Sequence, residues 1–414
     1  MKDRRNFEDS LRILLNHTLK ASAFNNYQDL ISIEIPKDNR FGDFSTNIAL
    51  KLSTTTRQDP SKIAQSLVTN LKTYISKSFI SDDIEDIKIE GGFINFFLTR
   101  DYFYEQLKDI LDRNKDFGRL NLGRGSKVLI EFVSANPTGP LSIAHARQAV
   151  VGDVLANILD FLGFKVKREY YLNDEGNQID ILGKSIELRI EELSGRGVDF
   201  PPNYYQGNYI YDIAKEAQAK KIKTPNLSEY GVKFILKVIK KELDDFGIKF
   251  DYWYSQKELR KSGKIKKALT LLKEVLYEEQ GATWFKSTQF GDDKDRVVIK
   301  SDGNYTYLAP DIAYHYDKYK RGFNWLINLW GPDHHGYIKR HQAAVKALGY
   351  KPQSLSIIIV QLASIFKEGK AIEMSTRRGQ YITLREVLKE VGKDAVRFFF
   401  LMRRTDSHLD FDLE

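Results

Sequence analysis

The stretch KVLIEFVSANPTGPLSIAHARQAVVGDVLANILDFLGFKVKREYYL, residues 127–172, decides the fold. It begins with an apolar run of strand length, Lys127 to Val133. A loop with two prolines and a glycine follows over Ser134 to Pro140, and Ile143 to Leu162 has the spacing of a long amphipathic helix. A second run of strand length covers Phe164 to Leu172. Strand, loop, helix and strand in this order predict a parallel βαβ unit, as in doubly wound nucleotide-binding folds.

The chain beyond this unit predicts a sheet that an insertion interrupts. Residues 173–295 are highly charged and helical in pattern, with the main helices expected over Asn177 to Leu193 and Leu227 to Phe246. The α/β pattern then returns, with strands expected over Val297 to Ser301, Trp325 to Trp330 and Leu355 to Val360, and helices over His334 to Leu348 and Leu384 to Phe400. We therefore expect one α/β domain of the Rossmann type over 120–385, with a helical insertion at about 173–295, and a helical connector over 386–414.

Residues 1–115 predict a separate small α/β domain. Helices are expected over Phe7 to Leu19 and Asp101 to Asn114, and strands over Ile31 to Ile35 and over Ile87 to Leu98, where Gly91-Gly92 breaks the run. Ser45 is expected to cap a helix that runs from Thr46 to Leu52. The glycine-rich stretch 118–125 is interpreted as a linker.

Composition excludes several classes of protein. No run of about 18 apolar residues exists, so no membrane span is expected. The N-terminus has no separate apolar core, which argues against a secretion signal. The absence of cysteine excludes disulfides, thiolate zinc sites and cysteine nucleophiles, and it fits a cytoplasmic location. The net charge of +8 is a mild bias toward polyanions such as nucleic acid, although a solvated surface of mixed charge gives the same value.

Two candidate sites follow predicted strands. In the stretch 131–145, EFVSANPTGPLSIAH, a loop meets a helix N-terminus, where free N–H groups and the helix dipole favour anions. His145 could donate a hydrogen bond to a phosphate there, or it could be incidental to a capping loop. The stretch 331–337, GPDHHGY, could contact a base or ribose, bind a metal, or simply begin a helix.

Two further candidate sites carry charge. The stretch 373–379, EMSTRRG, is a cationic loop suited to phosphates, or a solvated turn. In the stretch 305–315, YTYLAPDIAYH, Tyr307 and Asp311 are four residues apart, so a helix would place them on one face. An acid beside a phenol suits a cationic substrate, whereas the alternative is a buried capping aspartate.

The order of these motifs is more specific than any one of them, and it resembles a known family. Class I aminoacyl-tRNA synthetases carry a HIGH motif after their first strand and a KMSK motif after their last. EFVSANPTGPLSIAHARQAVVGDVLANIL, YYLNDEGNQIDILGKSI, YLAPDIAYHYDK, GPDHHGYIKRHQAA and EMSTRRGQYITLREVL resemble the bacterial-type arginyl-tRNA synthetases. FGDFSTNIALKL and GGFINFFL resemble that family's N-terminal domain, and AVRFFFLMRRTDSHLDFDLE resembles the segment that leads into its anticodon-binding helices. The likeness covers essentially the whole chain, and the C-terminal anticodon-binding domain is expected to be lacking.

The resemblance implies an arginine–tRNA ligase. Arginine would attack the ATP α-phosphate to give arginyl-adenylate and pyrophosphate, and the terminal adenosine of tRNA would then take the arginyl group. The implied partners are L-arginine, ATP with Mg²⁺ and the tRNA for arginine, whose elbow would contact the N-terminal domain, taken as basic. A cytoplasmic monomer without membrane contact is expected.

The resemblance also implies roles for individual residues. Residues expected to hold arginine are Glu131, Ser134, Asn136, Tyr307, Asp311 and His334. Residues expected to face ATP are Pro137, Gly139, Leu141, Ala144, His145, Gly331, His334, Met374 and Ser375. The catalytic residues would be His145, Ser142, Arg377 and Arg378, and no metal-ligating residue is expected.

The two signatures depart from the family pattern. Ser142 and Ala144 replace the first histidine and the glycine of HIGH, and Glu373 and Thr376 stand where KMSK has lysines. Losing one charged transition-state donor costs about 10²–10³ in rate, so a slow or tRNA-rescued enzyme is expected. Two other functions stay open: a non-catalytic paralogue that binds tRNA or arginine, and a ligase that joins arginine to something other than tRNA. Arginine and lysine both need an acidic pocket, so residue types alone leave that choice open.

Overall fold

The computed structural model describes residues 7–361, 363–367, 370–371 and 381–412. The chain divides into two compact units, Met1–Gly118 and Arg119–Glu414. Their boundary falls at the predicted linker 118–125, while the roles assigned to the predicted domains stay predictions. In the described part of the chain, none of the helices combines the length and the apolar character needed to cross a membrane.

The first unit combines helices with a small antiparallel sheet. Its elements in chain order are α1 (Phe7–Lys20), β1 (Phe44–Thr46), α2 (Ile48–Thr56), α3 (Pro60–Ile75), β2 (Ile84–Glu90), β3 (Phe93–Leu98) and α4 (Arg100–Arg113). The sheet order is β1-β3-β2, and the β2–β3 hairpin turns at two glycines with positive φ, as predicted. Leucines four residues apart on α1 and α3 are buried in one cluster with Phe96, because each helix turns its apolar stripe inward.

Two predictions in this unit are wrong. Residues 31–35 form no strand, and only Glu34 makes an isolated bridge, to Ser45. Ser45 itself lies in β1 and donates a 2.6 Å hydrogen bond to Asn95 on β3, so it caps no helix. The helix α2 begins at Ile48 with Asn47 before it. Alternating isoleucines and a serine near a helix start are local signals, and tertiary pairing with β3 overrides them.

The second unit contains a central sheet and several flanking elements. In chain order these are β4 (Lys127–Glu131), α5 (Ile143–Phe161), β5 (Lys165–Leu172), α6 (Asn177–Leu193), α7 (Asn208–Ala219), α8 (Leu227–Asp245), β6 (Tyr252–Ser255), α9 (Gln256–Lys261), α10 (Lys264–Leu271), β7 (Leu276–Glu279), β8 (Ala282–Phe285), β9 (Arg296–Ile299), α11 (Leu308–Lys320), β10 (Trp325–Trp330), α12 (Ile338–Ala347), β11 (Leu355–Ile359), β12 (Ala363–Lys367), β13 (Lys370–Ala371), α13 (Leu384–Val391), α14 (Lys393–Leu401) and β14 (Leu409–Asp412).

The central sheet is parallel throughout, with strand order β11-β10-β4-β5-β6. The strand order reverses at β4, because β5 follows on one side and β10 pairs on the other. In doubly wound sheets ligands bind beyond the carboxyl ends of the strands at this switch point. The predicted α/β fold of the Rossmann type is confirmed.

Alternation along β4 directs its side chains to two covered faces. Val128 and Ile130 are buried in one cluster with residues of α5, whereas Leu129 is buried with residues of α11 and α12. Glu131 therefore faces α11. Its cross-strand partners, Asn328 on β10 and Glu169 on β5, lie on the same face of the sheet.

The expected helical insertion is only partly helical. The helices α6 and α8 occur where predicted, but β6 lies within the stretch and forms the edge of the central sheet. The strands β7, β8 and β9 form a separate antiparallel sheet, so the strand predicted at Val297 to Ser301 is present at Arg296–Ile299 but outside the central sheet. Short antiparallel strands in a charged stretch lack the apolar runs that reveal buried parallel strands.

Two predicted helices are broken and the last segment is not purely helical. The helix expected from His334 begins as a 3₁₀ helix, Pro332–Tyr337, before α12. The helix expected over Leu384 to Phe400 is split into α13 and α14 at Gly392, whose φ is 80°. Beyond α14, β14 pairs with β12, so the connector expected over 386–414 also contains a strand.

Candidate active site

The chain turns sharply at the carboxyl end of β4. Val133 and Ser134 have φ values of 67° and 42°, a region that β-branched residues such as valine rarely adopt. The Ser134 hydroxyl accepts a 3.1 Å hydrogen bond from the Tyr171 N–H on β5 and lies 3.4 Å from Glu131 Oε1. The strained turn thus places Ser134 beside Glu131 at the switch point.

Gly139 sits between two tyrosine hydroxyls in the loop before α5. Tyr209 donates to the Thr138 carbonyl at 2.7 Å, and Tyr381 donates to the Pro140 carbonyl at 3.2 Å. A Cβ atom at Gly139 would lie 3.0 Å from the first hydroxyl oxygen and 3.1 Å from the second. A larger residue here would require both tyrosine hydroxyls to shift by a few tenths of an ångström, so glycine suits this close approach to the main chain.

A buried carboxylate on α8 holds the next residue of this loop. Glu242 is 1% exposed, and its Oε2 accepts a 2.9 Å hydrogen bond from the Leu141 N–H. Burial raises the pKa of Glu242, although this hydrogen bond and Arg385, 3.2 Å away, oppose the rise. The insertion therefore supports the loop that precedes the helix N-terminus.

Ser142 and His145 contact each other at the start of α5. The Ser142 N–H donates to His145 Nδ1 at 3.2 Å, and the Ser142 hydroxyl lies 2.9 Å from the same nitrogen. Because Nδ1 accepts, the neutral ring carries its proton on Nε2, which is then a hydrogen-bond donor. Burial lowers the pKa of His145 and favours that neutral form. In this structure Ser142 orients His145 and is the N-cap residue of α5.

Glu131 is paired within the protein. Lys318 Nζ on α11 lies 2.5 Å from Glu131 Oε2 and donates to Asn328 Oδ1 at 3.1 Å. The exposed fraction of Lys318 is 0% and that of Asn328 is 1%. The Glu131 Oε1 atom faces Ser134, so this carboxylate can offer one oxygen rather than a fork to a substrate cation.

Tyr307 and Asp311 are one turn apart at the start of α11, as predicted. The Asp311 N–H donates to the Tyr307 carbonyl at 3.3 Å, and the Tyr307 side chain is 84% exposed. Asp311 Oδ2 lies 3.2 Å from His341 Nε2 on α12. The Asp311 side chain is 31% exposed, which argues against a buried capping aspartate.

Trp330 at the end of β10 forms an aromatic group with His334 and His341, near Asp311. His334 lies 6.0 Å from Trp330 between ring centroids, and Trp330 lies 4.9 Å from His341, which contacts Asp311. Gly331 is the N-cap residue of the 3₁₀ helix that carries His334. His334 and the predicted arginine ligand Asp311 thus belong to one chain of contacts.

The remaining predicted residues differ in their placement. Asn136 bonds to Asn173 and Gln178, Pro137 is buried and Ala144 is half-buried. Met374, Ser375, Arg377 and Arg378, together with Glu373 and Thr376, lie outside the described residues, so their roles stay predictions.

The two motif-bearing loops follow neighbouring strands. The loop with Ser134 follows β4, and the 3₁₀ helix with His334 follows β10. Gln148 on α5 donates a 2.6 Å hydrogen bond to the Leu329 carbonyl of β10, so the helix that begins after the first loop also contacts the strand before the second.

Sequence reasoning missed the residues that support this site. Lys318 and His315 lie seven and four residues after Asp311, and that helical spacing was a usable signal. Asn328 and Glu242 gave none, because their partners are distant in sequence. Among the residues that the structure describes, no group of three or more His, Asp or Glu is placed to hold a metal ion.

Two protein families match this sequence. The family described as the class I tRNA synthetase (R) catalytic domain matches residues 106–404, and the arginyl-tRNA synthetase N-terminal domain matches residues 9–98. The chain belongs to the arginyl-tRNA synthetase family. The family that the motifs indicated is therefore confirmed. Members of this family use ATP as a substrate.

The similarity of this arginyl-tRNA synthetase to curated relatives extends over most of its length. The arginine–tRNA ligase of Citrifermentans bemidjiense is 47% identical over 93% of the chain and 71% of its own length. That of Bacillus subtilis is 46% identical over 93% of the chain and 70% of its own length. The chain thus spans about 70% of the length of these curated relatives.

Solved structures of the family give the same result. A putative arginyl-tRNA synthetase from Campylobacter jejuni is 42% identical, with a TM-score of 0.71, over 76% of this chain and 71% of that one. The Thermus thermophilus arginyl-tRNA synthetase is 19% identical, with a TM-score of 0.66, over 99% of this chain and 77% of that one, and it supports the fold alone.

Proposed function

We propose that the chain is an arginine–tRNA ligase that forms arginyl-adenylate from arginine and ATP and transfers the arginyl group to the tRNA 3′ end. The observation that carries the proposal is the position of β4: this strand lies at the switch point, leads to a proposed anion site and carries Glu131 of a proposed acidic site, and Lys318 links it to the helix α11 that carries Asp311. The anion site is the start of α5 with His145, and the acidic site is Glu131 and Asp311.

In this proposal arginine binds between β4 and α11. Asp311 takes the guanidinium, because a partly exposed carboxylate can accept a forked pair of donors. Tyr307 covers it, while Glu131, Ser134 and Asn136 hold the amino-acid end. A lysine substrate presents no fork, so Asp311 would favour arginine over lysine.

ATP binds along the loop before α5 and the helix start. His145 donates from Nε2 to the α-phosphate as negative charge develops, and Ser142 orients it. In this proposal Pro137, Gly139 and Leu141 face the phosphates of ATP. The residues proposed to lie near the adenosine are Ala144, Gly331, His334, Met374 and Ser375. Arg377 and Arg378 supply the charge that KMSK lysines would give the pyrophosphate. Mg²⁺ enters with ATP, bound by its phosphates.

The tRNA contacts are proposed from charge. Residues 1–118 hold 17 Lys and Arg against 18 Asp and Glu, so the expectation of a basic N-terminal domain is wrong. Residues 119–414 hold 47 against 38 and supply the cationic surface that RNA phosphates need. Contact of residues 1–115 with the tRNA elbow then depends on hydrogen bonds and shape more than on net charge. We further propose a cytoplasmic monomer.

Arginine-dependent ATP–pyrophosphate exchange tests this function, with and without tRNA for arginine. We expect exchange in the native chain and about a 10²-fold loss in Asp311→Asn at subsaturating arginine, because the guanidinium loses a charged partner. Tyr319→Phe on the same helix, facing Ser354, is the matched control and should retain full exchange.

The departures at the first signature give a second arm of the test. Exchange that is absent in the native chain but present in Ser142→His would contradict catalysis and favour a paralogue that only binds tRNA or arginine. Transfer of arginine to another acceptor, without charging of tRNA, would favour a ligase that joins arginine to something other than tRNA.

A further inference from the structure

A buried chain of polar side chains joins the Glu131 carboxylate to the main-chain carbonyl of Asp311, and these are the two acidic residues proposed to hold arginine. Lys318, paired with Glu131 at 2.5 Å, also donates to Asn328 Oδ1 at 3.1 Å. Asn328 Nδ2 lies 2.9 Å from His315 Nε2, and His315 Nδ1 lies 2.8 Å from the Asp311 carbonyl oxygen. We call Lys318, Asn328 and His315 the relay. Their exposed fractions are 0%, 1% and 4%.

The hydrogen bonds of the relay have one consistent set of directions. An ammonium only donates, so Asn328 turns its oxygen to Lys318 and its amide N–H to His315. His315 Nε2 must then accept, and Nδ1 carries the proton that is donated to the Asp311 carbonyl. Burial, with Lys318 and His341 nearby, holds the pKa of His315 well below its usual range, which keeps the ring in this neutral form.

His315 also touches the group that holds the Asp311 carboxylate. Its ring meets the His341 ring edge-on, with centroids 5.2 Å apart, and His341 Nε2 lies 3.2 Å from Asp311 Oδ2. His315 therefore contacts both the main chain of Asp311 and the partner of its side chain. A shift of His315 would move this carboxylate relative to Glu131.

A second ion pair fixes α11 along the sheet. Glu169 is the cross-strand neighbour of Glu131, and Arg321 donates to both of its oxygens, at 2.5 and 2.9 Å. Lys318 lies in the last turn of α11 and Arg321 is the C-cap residue of this helix, so each of two adjacent buried carboxylates has its own cation. The helix cannot slide without leaving a buried charge unpaired, which is strongly unfavourable.

We propose that Lys318, Asn328 and His315 are positioning residues that fix the spacing between Glu131 and Asp311 and so make the site selective for the length of the arginine side chain. The proposal rests on the proposed function, because it takes arginine to bridge the two carboxylates. A rigid site separates ligands that differ by one methylene by about 10- to 200-fold. Homoarginine, which is one methylene longer, is therefore the probe.

Two relay variants test the proposal in the full chain. Asn328→Leu removes both amide hydrogen bonds at similar volume, and His315→Phe keeps a ring against His341 without its nitrogens. For each we expect the Kd for arginine, measured by calorimetry, to rise about tenfold, and the preference for arginine over homoarginine to fall by a similar factor. The KM for ATP in the exchange reaction should stay unchanged, because the relay lies on the arginine side.

Two further variants separate positioning from a general structural role. His315→Gln retains one acceptor and one donor and should recover part of the preference. Tyr319→Phe removes a 2.7 Å contact with Ser354 from the same helix and should leave the preference unchanged. Circular dichroism identifies the folded variants, and if His315→Phe does not fold, Asn328→Leu decides the test.

The results that would overturn the proposal differ from those that would overturn the function. Equal weakening of arginine and homoarginine in a folded Asn328→Leu, or unchanged binding of both, overturns the relay. If the relay fails in this way but Asp311→Asn weakens arginine binding in the same assay, the proposed arginine site still stands. If Asp311→Asn binds arginine as the native chain does, the proposed site and the relay both fail.

Discussion

The loop before α5 and the helix α11 border the same switch point, yet different interactions hold them. The loop is held by its own main chain: the Leu141 N–H donates to Glu242, the Thr138 and Pro140 carbonyls accept from two tyrosines, and the Ser142 N–H donates to His145. The helix is held by charged side chains at its C-terminal end, since the buried Lys318 and the partly exposed Arg321 each pair with a buried carboxylate of the sheet.

This difference explains where the sequence can change. A loop held through main-chain groups tolerates new side chains, and Ser142 and Ala144 replace two signature residues there while His145 remains oriented. A helix held by buried ion pairs tolerates little, because removing one partner leaves the other as an unpaired charge in a dry interior. Unfolding measurements on Lys318→Met, on two histidine variants and on Ser142→Ala test this contrast.

The largest effect is expected at the α11 anchor. Lys318→Met leaves Glu131 buried without its cation, so the free energy of unfolding should fall by about 3–5 kcal/mol. Urea unfolding followed by tryptophan fluorescence measures it, because all four tryptophans lie in residues 119–414. The double variant with Glu131→Gln should recover most of the loss. A loss below about 1 kcal/mol in Lys318→Met would mean that the pair behaves like an exposed one.

A pH titration compares one histidine from each region. Burial lowers the pKa of His145 and holds that of His315 well below the usual 6.5, the latter with help from Lys318 and His341. The unfolded chain takes up protons as the pH falls through 6.5, whereas the folded rings stay neutral. The free energy of unfolding is therefore highest above pH 6.5 and decreases as the pH falls below it.

The expected pH effect is intermediate in size. Lowering the pH by one unit from 6.5 should reduce the free energy of unfolding by at most about 1 kcal/mol for each histidine that stays neutral in the folded chain, because half of the unfolded histidine is already protonated at pH 6.5. Urea unfolding at the two pH values measures how far the free energy of unfolding falls. This fall should be smaller in His315→Phe than in the native chain, and His145→Phe should reduce it by a lesser amount. If His145→Phe reduced the pH dependence of the free energy of unfolding more than His315→Phe, the more strongly desolvated ring would be the one that follows the loop before α5.

The smallest effect is expected at Ser142. Ser142→Ala removes the N-cap side chain of α5, and the free energy of unfolding should fall by about 1 kcal/mol, while the Ser142 N–H still orients His145. Thermal unfolding measures this change, with Ser142→Thr as the control that keeps a hydroxyl and should stay close to the native chain. A loss as large as that of Lys318→Met would erase the contrast between main-chain and side-chain anchoring.

Much of the candidate site was visible in the sequence because it is local. A strand, a loop with prolines and glycine and a helix are consecutive in residues 127–172, so the βαβ unit and the helix start with His145 follow from neighbouring residues. The pair Tyr307 and Asp311 follows from helical spacing for the same reason. The errors concern pairing: Ser45 was assigned to a cap and lies in β1, and β6 was hidden in a stretch interpreted as helical.

The sequence by itself determined the family, the parallel sheet and the residue types at its carboxyl edge, because motifs and periodicities are short-range properties. Only the tertiary structure decided what Glu131 does before a substrate arrives. Its partner Lys318 is 187 residues away, and Asn328 meets Glu131 only because β10 pairs with β4. The counter-ion of a buried carboxylate such as Glu131 is set by tertiary contacts between distant segments, so no local sequence pattern predicts it.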